Sequence, residues 1–326
     1  IIQHHHIAAS PMSSGYASRL KTYPNKGICG LPEQNDSERT LKIKLKKLFD
    51  LVESSKHIVF LTGAGISTAA GVPDFRGPKG IWTMEKNKEK AQKKGKKRTA
   101  EIMEQCTNTE NVDTVQKKEE ETSDFNFKKL THETNHKTQK SDHNNEFTRA
   151  KPTLTHIAIR NLIQQHDKSK FQYCITQNVD GLHSRSGLSR SKLSILHGCV
   201  FMEKCELCHK EYLRDYDVGG VSFQKTGNFC SCKGALRDTV LDWDDALPEP
   251  DWENACDQCE MADLVICLGT SLRIEPAGSL PLDAKRFVVV NLQVTPKDRH
   301  PKCVLVIRAA VDLVMRELCG RLGVEL

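Results

Sequence analysis

Ile58 to Trp82 reads IVFLTGAGISTAAGVPDFRGPKGIW, and this stretch decides the fold. Ile58, Val59, Phe60 and Leu61 form an unbroken apolar run, the pattern of a strand covered on both faces. Gly63, Ala64 and Gly65 follow at once, small enough to let backbone N–H groups approach an anion. Ser67 and Thr68 stand where a helix is expected to begin, so that its free N–H groups and positive dipole end would face a diphosphate. Gly71, Pro73 and Gly77 are expected to end that helix. Strand, small-residue loop and helix together predict an α/β nucleotide-binding domain, although a lone G-x-G also serves any tight turn.

The next residues narrow the reading. Asp74, Phe75 and Arg76 place an acid, an aromatic ring and a guanidinium beside the loop. The dehydrogenase fingerprint, with a third glycine in register and an acidic residue about 20 positions further on, is absent. GAGIS followed by DFRG resembles the sirtuins, the NAD-dependent protein deacylases, and Met12 to Glu33, Cys232 to Asp238 and Asp242-Trp243-Asp244 resemble the sirtuin-six branch of that family. The resemblance implies a Rossmann-like parallel sheet with helices on both faces plus a small zinc-binding domain, NAD and an acylated lysine meeting between them.

Phe171 to Thr176 predicts a buried strand, and Gln177-Asn178-Val179-Asp180-Gly181-Leu182-His183 lies past its carboxyl end, where ligands collect in an open parallel sheet. By themselves Asn178 and Asp180 read equally as turn residues. The resemblance makes Asn178, Asp180 and His197 the catalytic candidates, His197 being the base, for which a near-neutral imidazole is suited. Ala262 to Leu268 and Phe287 to Val290 predict two more buried strands, ending in Gly269-Thr270-Ser271 and Asn291-Leu292-Gln293. Small and amide groups there suit ribose and adenosine. The NAD contacts implied by the resemblance are Gly63, Ala64, Gly65, Ser67, Thr68, Asp74, Phe75, Arg76, Trp82, Gln177, Asn178, His197, Gly269, Thr270, Ser271, Asn291, Leu292, Gln293 and Val311. One departure precedes the last of these: Arg308-Ala309-Ala310 lacks the glycine usual before the final helix. Thr239 to Asp245 is expected to be a strand and loop in which Trp243 is either core or, by the resemblance, a wall of the acyl-lysine tunnel.

Thirteen cysteines in a chain without secreted character, five of them from Cys199 to Cys232, point to metal in a reducing compartment. Cys205, Cys208, Cys230 and Cys232 read as a four-thiolate zinc site, which leaves no open position for catalysis. The second pair is C-x-C, tighter than the resemblance implies, so either Cys230 or Cys199 is the third ligand.

The chain has 326 residues, 38% hydrophobic, with a mean hydropathy of -0.51 and a net charge of +6. No apolar run approaches the roughly 20 residues of a membrane span. Residues 1–36 read as an extended arm with Met12 as the expected start, and 37–84, 151–198 and 241–326 as the Rossmann-like domain. Residues 199–240 are the zinc domain, and 85–150, rich in Lys, Glu, Asn and Thr, a disordered insertion. The basic run from Lys86 to Arg98 is either a solvated loop or a nuclear-localisation or DNA-phosphate contact. The leading expectation is NAD-dependent deacylation of lysines on histones or chromatin proteins in the nucleus, giving nicotinamide and O-acyl-ADP-ribose. Mono-ADP-ribosyl transfer in the same cleft is the alternative, and a chromatin- or DNA-binding module with weak catalysis a further one.

Overall fold

The computed structural model describes residues 19–21, 26–93, 146–164 and 170–326. Six parallel strands form the main sheet in the order β10-β9-β8-β1-β2-β3. They are β1 (Ile58–Thr62), β2 (Phe171–Thr176), β3 (Leu193–Ile195), β8 (Leu264–Leu268), β9 (Phe287–Val290) and β10 (Cys303–Ile307). Every residue of β1, β8 and β9 is buried, which is why their sequences are continuous apolar runs without alternation.

Alternate side chains feed two cores. Val59, Leu61, Val265, Cys267, Phe287 and Val289 pack with Ala255 and Cys259 of helix α3 (Glu249–Met261) on one face. Ile58, Phe60, Leu264, Ile266, Val288 and Val290 pack on the other, against α1 (Glu38–Glu53), α2 (Leu154–Gln164) and α4 (Val311–Leu322). The first of these starts at Ser37, whose side chain accepts from the Thr40 N–H, and ends at Ser54. Its Leu45, Leu48, Leu51 and Val52 recur every third or fourth residue and face the sheet. Full burial of Leu48 and Val52 contributes about 2 kcal/mol each.

A second, antiparallel sheet has the order β5-β4-β7-β6, with β4 (Met202–Cys205), β5 (Glu211–Leu213), β6 (Lys225–Phe229) and β7 (Ala235–Asp238). It belongs to the same compact unit as the large sheet. The chain crosses between the two at Gly198 and Thr239. A Cβ at Gly198, where φ is +77°, would lie 1.8 Å from the Thr239 carbonyl oxygen, so a side chain there would drive the crossings apart.

Three expectations change. The helix after β1 is absent: two short 3-10 turns, Ala64–Ile66 and Thr68–Ala70, close at left-handed Gly71. The strand expected from Thr239 lies earlier, in β7, and residues 239–242 are irregular. The insertion read as disordered is ordered at both ends. Residues 85–93 are helical, and Glu146–Arg149 is a helical turn that buries Phe147, with Ala150 buried just beyond it. Its remaining residues, the basic run past Lys93 and Met12 lie outside the described residues. Among the described residues no helix is long and apolar enough to cross a membrane.

Candidate active site

The strand order reverses direction between β1 and β8, and the two loops leaving their carboxyl ends meet there. A Cβ on Gly65 would lie 2.8 Å from Gly269 Cα, and the Gly65 N–H donates to the Gly269 carbonyl at 2.8 Å. The Ile66 and Ser67 N–H groups likewise donate to Gly63 and Ala64. Much of the expected anion cradle is therefore spent inside the loop; the glycines are needed for loop to meet loop.

Ser67 and Asp180 are also placed differently from the expectation. Both are buried, and neither lines the cleft. Ser67 Oγ donates to Asp180 Oδ2 at 2.6 Å, while Asp180 Oδ1 accepts from the Leu182 N–H at 2.9 Å. Asn178 Nδ2 lies 3.1 Å from the Gly63 carbonyl and 3.3 Å from Ser67 Oγ. Burial pushes the Asp180 carboxyl pKa up, and the Ser67 and Leu182 bonds pull it back. These residues form a polar strut beneath the loop.

Above the strut, one cleft gathers Gly63, Ala64, Gly65, Asp74, Phe75, Arg76, Gln177 and Asn178 with Gly269, Thr270, Ser271, Asn291 and Gln293. A neighbouring cavity adds Thr68, Leu292 and Val311, together with Glu33, Ala309, Ala310 and Asp312, which the sequence reading missed. A third cavity, of about 230 Å³, is lined by Phe75, Trp82, His197 and Trp243, along with Leu20, Leu241, Leu247, Ile274 and Pro276. Phe75 and Ile274 line both the first cleft and this one, so the two adjoin. Its aromatic wall is continuous: Phe75 and Trp82 ring centroids are 4.7 Å apart, and those of Trp82 and Trp243 are 5.3 Å apart. The Arg76 guanidinium lies 4.4 Å from the Trp82 ring centroid.

His197 lines this third cavity, and its partner Gln177 lines the first cleft. Its Nδ1 is 3.0 Å from the Gln177 carbonyl oxygen, an acceptor only, so the proton sits on Nδ1 and Nε2 keeps its lone pair. Burial lowers the imidazole pKa to about 4, against the Gln177 bond, which raises it, and with Arg76, which lowers it further.

The amino-terminal arm laces past these cavities. Asp36 N–H donates to Arg308, Gln34 N–H to Leu292, and Gly30 N–H to Arg76. Arg19 pairs with Asp217 at 2.8 Å, and the Lys21 N–H reaches Asp242 Oδ1 at 3.2 Å. Leu20 thereby becomes a wall residue that no local motif could reveal.

In the small sheet the sulfurs of Cys205, Cys208, Cys230 and Cys232 all lie within 4.8 Å of one another. The closest approaches, 3.4 Å from Cys232 to Cys205 and Cys208 and 3.5 Å between Cys208 and Cys230, are near the ~3.8 Å expected of thiolates around tetrahedral zinc. Cys230 completes the cluster, and Cys199 is buried elsewhere, beside Gly181. Tyr212 Oη lies 3.1 Å from Cys230 Sγ and, as donor, lowers that thiol's pKa.

The Sir2 family model matches residues 63–141 and 113–276 of this chain. The chain belongs to the Sir2 family. The Drosophila melanogaster "NAD-dependent protein deacetylase Sirt6" is 38% identical over 329 residues, 97% of this chain and 86% of that protein. The "NAD-dependent protein deacetylase SRT1" of Oryza sativa subsp. indica is 41% identical over 93% of this chain, and that of Arabidopsis thaliana 40% over 97%. The chain spans 53% and 57% of those two plant proteins, little more than half their length. Among solved structures, "Sir2-p53 peptide-NAD+" has a TM-score of 0.53 and 26% identity, over 86% of this chain and 99% of that one. "Structure of Sir2Tm bound to a propionylated peptide" likewise has a TM-score of 0.53, with 25% identity over 86% and 100%. The Sir2 fold, a parallel sheet flanked by helices with a four-cysteine cluster compatible with zinc, is thus the fold of this chain.

Proposed function

We propose that this Sir2-family chain is an NAD-dependent protein-lysine deacylase with a structural zinc. The observation carrying the reading is His197, in an aromatic-walled cavity, its tautomer set by Gln177 of the adjoining polar cleft. The cleft suits NAD: amide and hydroxyl side chains at the ends of β2, β8 and β9 offer partners to ribose and amide groups. Arg76 carries the charge opposite to a diphosphate. NAD, when bound, supplies the ribose carbon that accepts the acyl oxygen as nicotinamide leaves. The chain's own part is positioning and proton transfer. Asn178 holds the Gly63 carbonyl, Gln177 Nε2 donates to Thr270 Oγ1 at 3.1 Å, and His197 Nε2 accepts a hydroxyl proton. The cavity formed by Phe75, Trp82 and Trp243 would take the acyl-lysine, including long chains.

Histones or other chromatin proteins in the nucleus are the proposed targets, with the net charge of +6 favouring the acidic nucleic acid of chromatin as the neighbouring surface. DNA or nucleosome contact through the basic run rests on charge alone.

The test incubates purified protein, and His197→Ala beside it, with acetylated and myristoylated histone peptides, with and without NAD, following peptide mass and nicotinamide. NAD-dependent acyl loss that vanishes in the variant is expected. Nicotinamide release with ADP-ribose mass on protein and no acyl loss would make the chain a transferase. Neither product would overturn the enzymatic reading and leave the binding module.

A further inference from the structure

We infer that Arg308 is the positioning residue for the loop at the adenosine end of the cleft, an assignment that rests on the NAD reading above. Arg308 follows β10, which pairs in parallel with β9, so its side chain starts beside the Asn291–Gln293 loop that leaves β9. It is 8% exposed. One guanidinium nitrogen donates to the Asn291 carbonyl at 2.9 Å and the Gln293 carbonyl at 3.0 Å. The other pairs with Asp298 Oδ2, whose carboxylate also takes the Thr295 N–H at 3.0 Å and hydroxyl at 2.7 Å. The Arg308 backbone is fixed too: its N–H donates to Asp36 Oδ2 at 2.8 Å, and Lys44 Nζ neutralises Asp36 at 2.6 Å.

The consequence is geometric. Two loop carbonyls, from residues two apart, turn inward to a single nitrogen. The Asn291 side-chain amide closes on the same Gln293 oxygen at 2.9 Å. Leu292, between them, is left lining the cavity it shares with Val311. The second terminal nitrogen anchors the far end of the loop at Asp298. A planar fork serves this arrangement, whereas a lysine ammonium is a single charged point on a flexible stem and would hold it only in part. Without the guanidinium the Asn291 carbonyl loses its donor and the Gln293 carbonyl keeps only the Asn291 amide, so the loop gains the freedom to turn them toward water. Arg308 touches no substrate in this scheme; it acts through residues 291–293.

The test measures ADP-ribose affinity by calorimetry, and KM for NAD and for an acylated peptide, in wild type, Arg308→Met, Arg308→Lys and Asp298→Asn. Arg308→Met is expected to weaken ADP-ribose and raise the NAD KM roughly tenfold or more, with peptide KM and kcat within about threefold. Arg308→Lys should recover part of the loss. Unchanged ADP-ribose affinity in Arg308→Met, or an equal rise in peptide KM, would overturn the assignment. Should Arg308→Met fail to fold by circular dichroism, the other two variants decide. Weakened ADP-ribose binding in both supports the clamp, and wild-type affinity in both rejects it. Wild-type protein that binds neither NAD nor ADP-ribose would fail before any variant is compared, and would remove the NAD reading itself.

Discussion

His197 Nδ1 and the Gln177 carbonyl oxygen are 3.0 Å apart, tying the base candidate to the strand end that also lines the polar cleft. With the proton committed to Nδ1, Nε2 works as a base wherever the ring is neutral. Burial holds the ring pKa at about 4, so activity should be lost only as pH falls through that value. A pH profile of kcat/KM with acylated peptide should therefore stay level through pH 6.5, where an ordinary histidine titrates, and bend below about pH 5. Loss of His197 should cost roughly 10²- to 10⁴-fold in rate.

Ser67 should matter through stability. Its hydroxyl is one of the two hydrogen-bond donors to the buried Asp180 carboxylate among the described residues. Ser67→Ala is expected to destabilise the fold by about 1–3 kcal/mol in urea titration. Thr68→Ala, one residue on but exposed, should stay within about 0.5 kcal/mol while weakening NAD binding. Equal stabilities for the two variants would contradict the strut.

Tyr212 should govern how tightly the four-cysteine cluster holds the proposed zinc. Its hydroxyl faces Cys230 Sγ at 3.1 Å, and its ring lies between Lys210 and Arg214, each 5.2 Å from the centroid. Tyr212→Phe should lower zinc affinity roughly tenfold in a chelator competition. Stripping the metal altogether should unfold the small sheet, read as loss of amide-exchange protection across residues 202–238.

His156 and His183 predict acid sensitivity. Their rings meet edge to face with centroids 4.7 Å apart, both buried, and no hydrogen-bond partner for His156 Nε2 is found among the described residues. Burial lowers the His156 pKa to about 3; burial and then the charge of His156 take His183 well below its ordinary value. Below pH 6.5 the unfolded chain binds protons that the folded one refuses, so stability falls with pH, at about 1.4 kcal/mol per pH unit for each ring. Asp238, raised by burial to about 6, opposes part of this because its folded form takes up a proton first. His156→Gln should flatten the decline in midpoint between pH 6 and 4.5; an unchanged slope would count against the pair.

The sequence by itself determined four of the six strands of the large sheet, and the family. Residues 58–61, 264–268 and 287–290 are apolar throughout because both sheet faces are covered, and that pattern survives in one dimension. GAGIS, DFRG, QNVDGLH and the paired cysteines carried the family in the same way. Tertiary structure alone decided how the polar groups are shared out. Gly65 is small because Gly269 presses on it, Ser67 serves Asp180, Cys230 and not Cys199 joins the thiols, and Leu20 walls a cavity. Each depends on a partner remote in the chain. Local pattern records whether a side chain is buried, whereas a hydrogen bond or steric contact is fixed only by the distance between segments that the fold brings together.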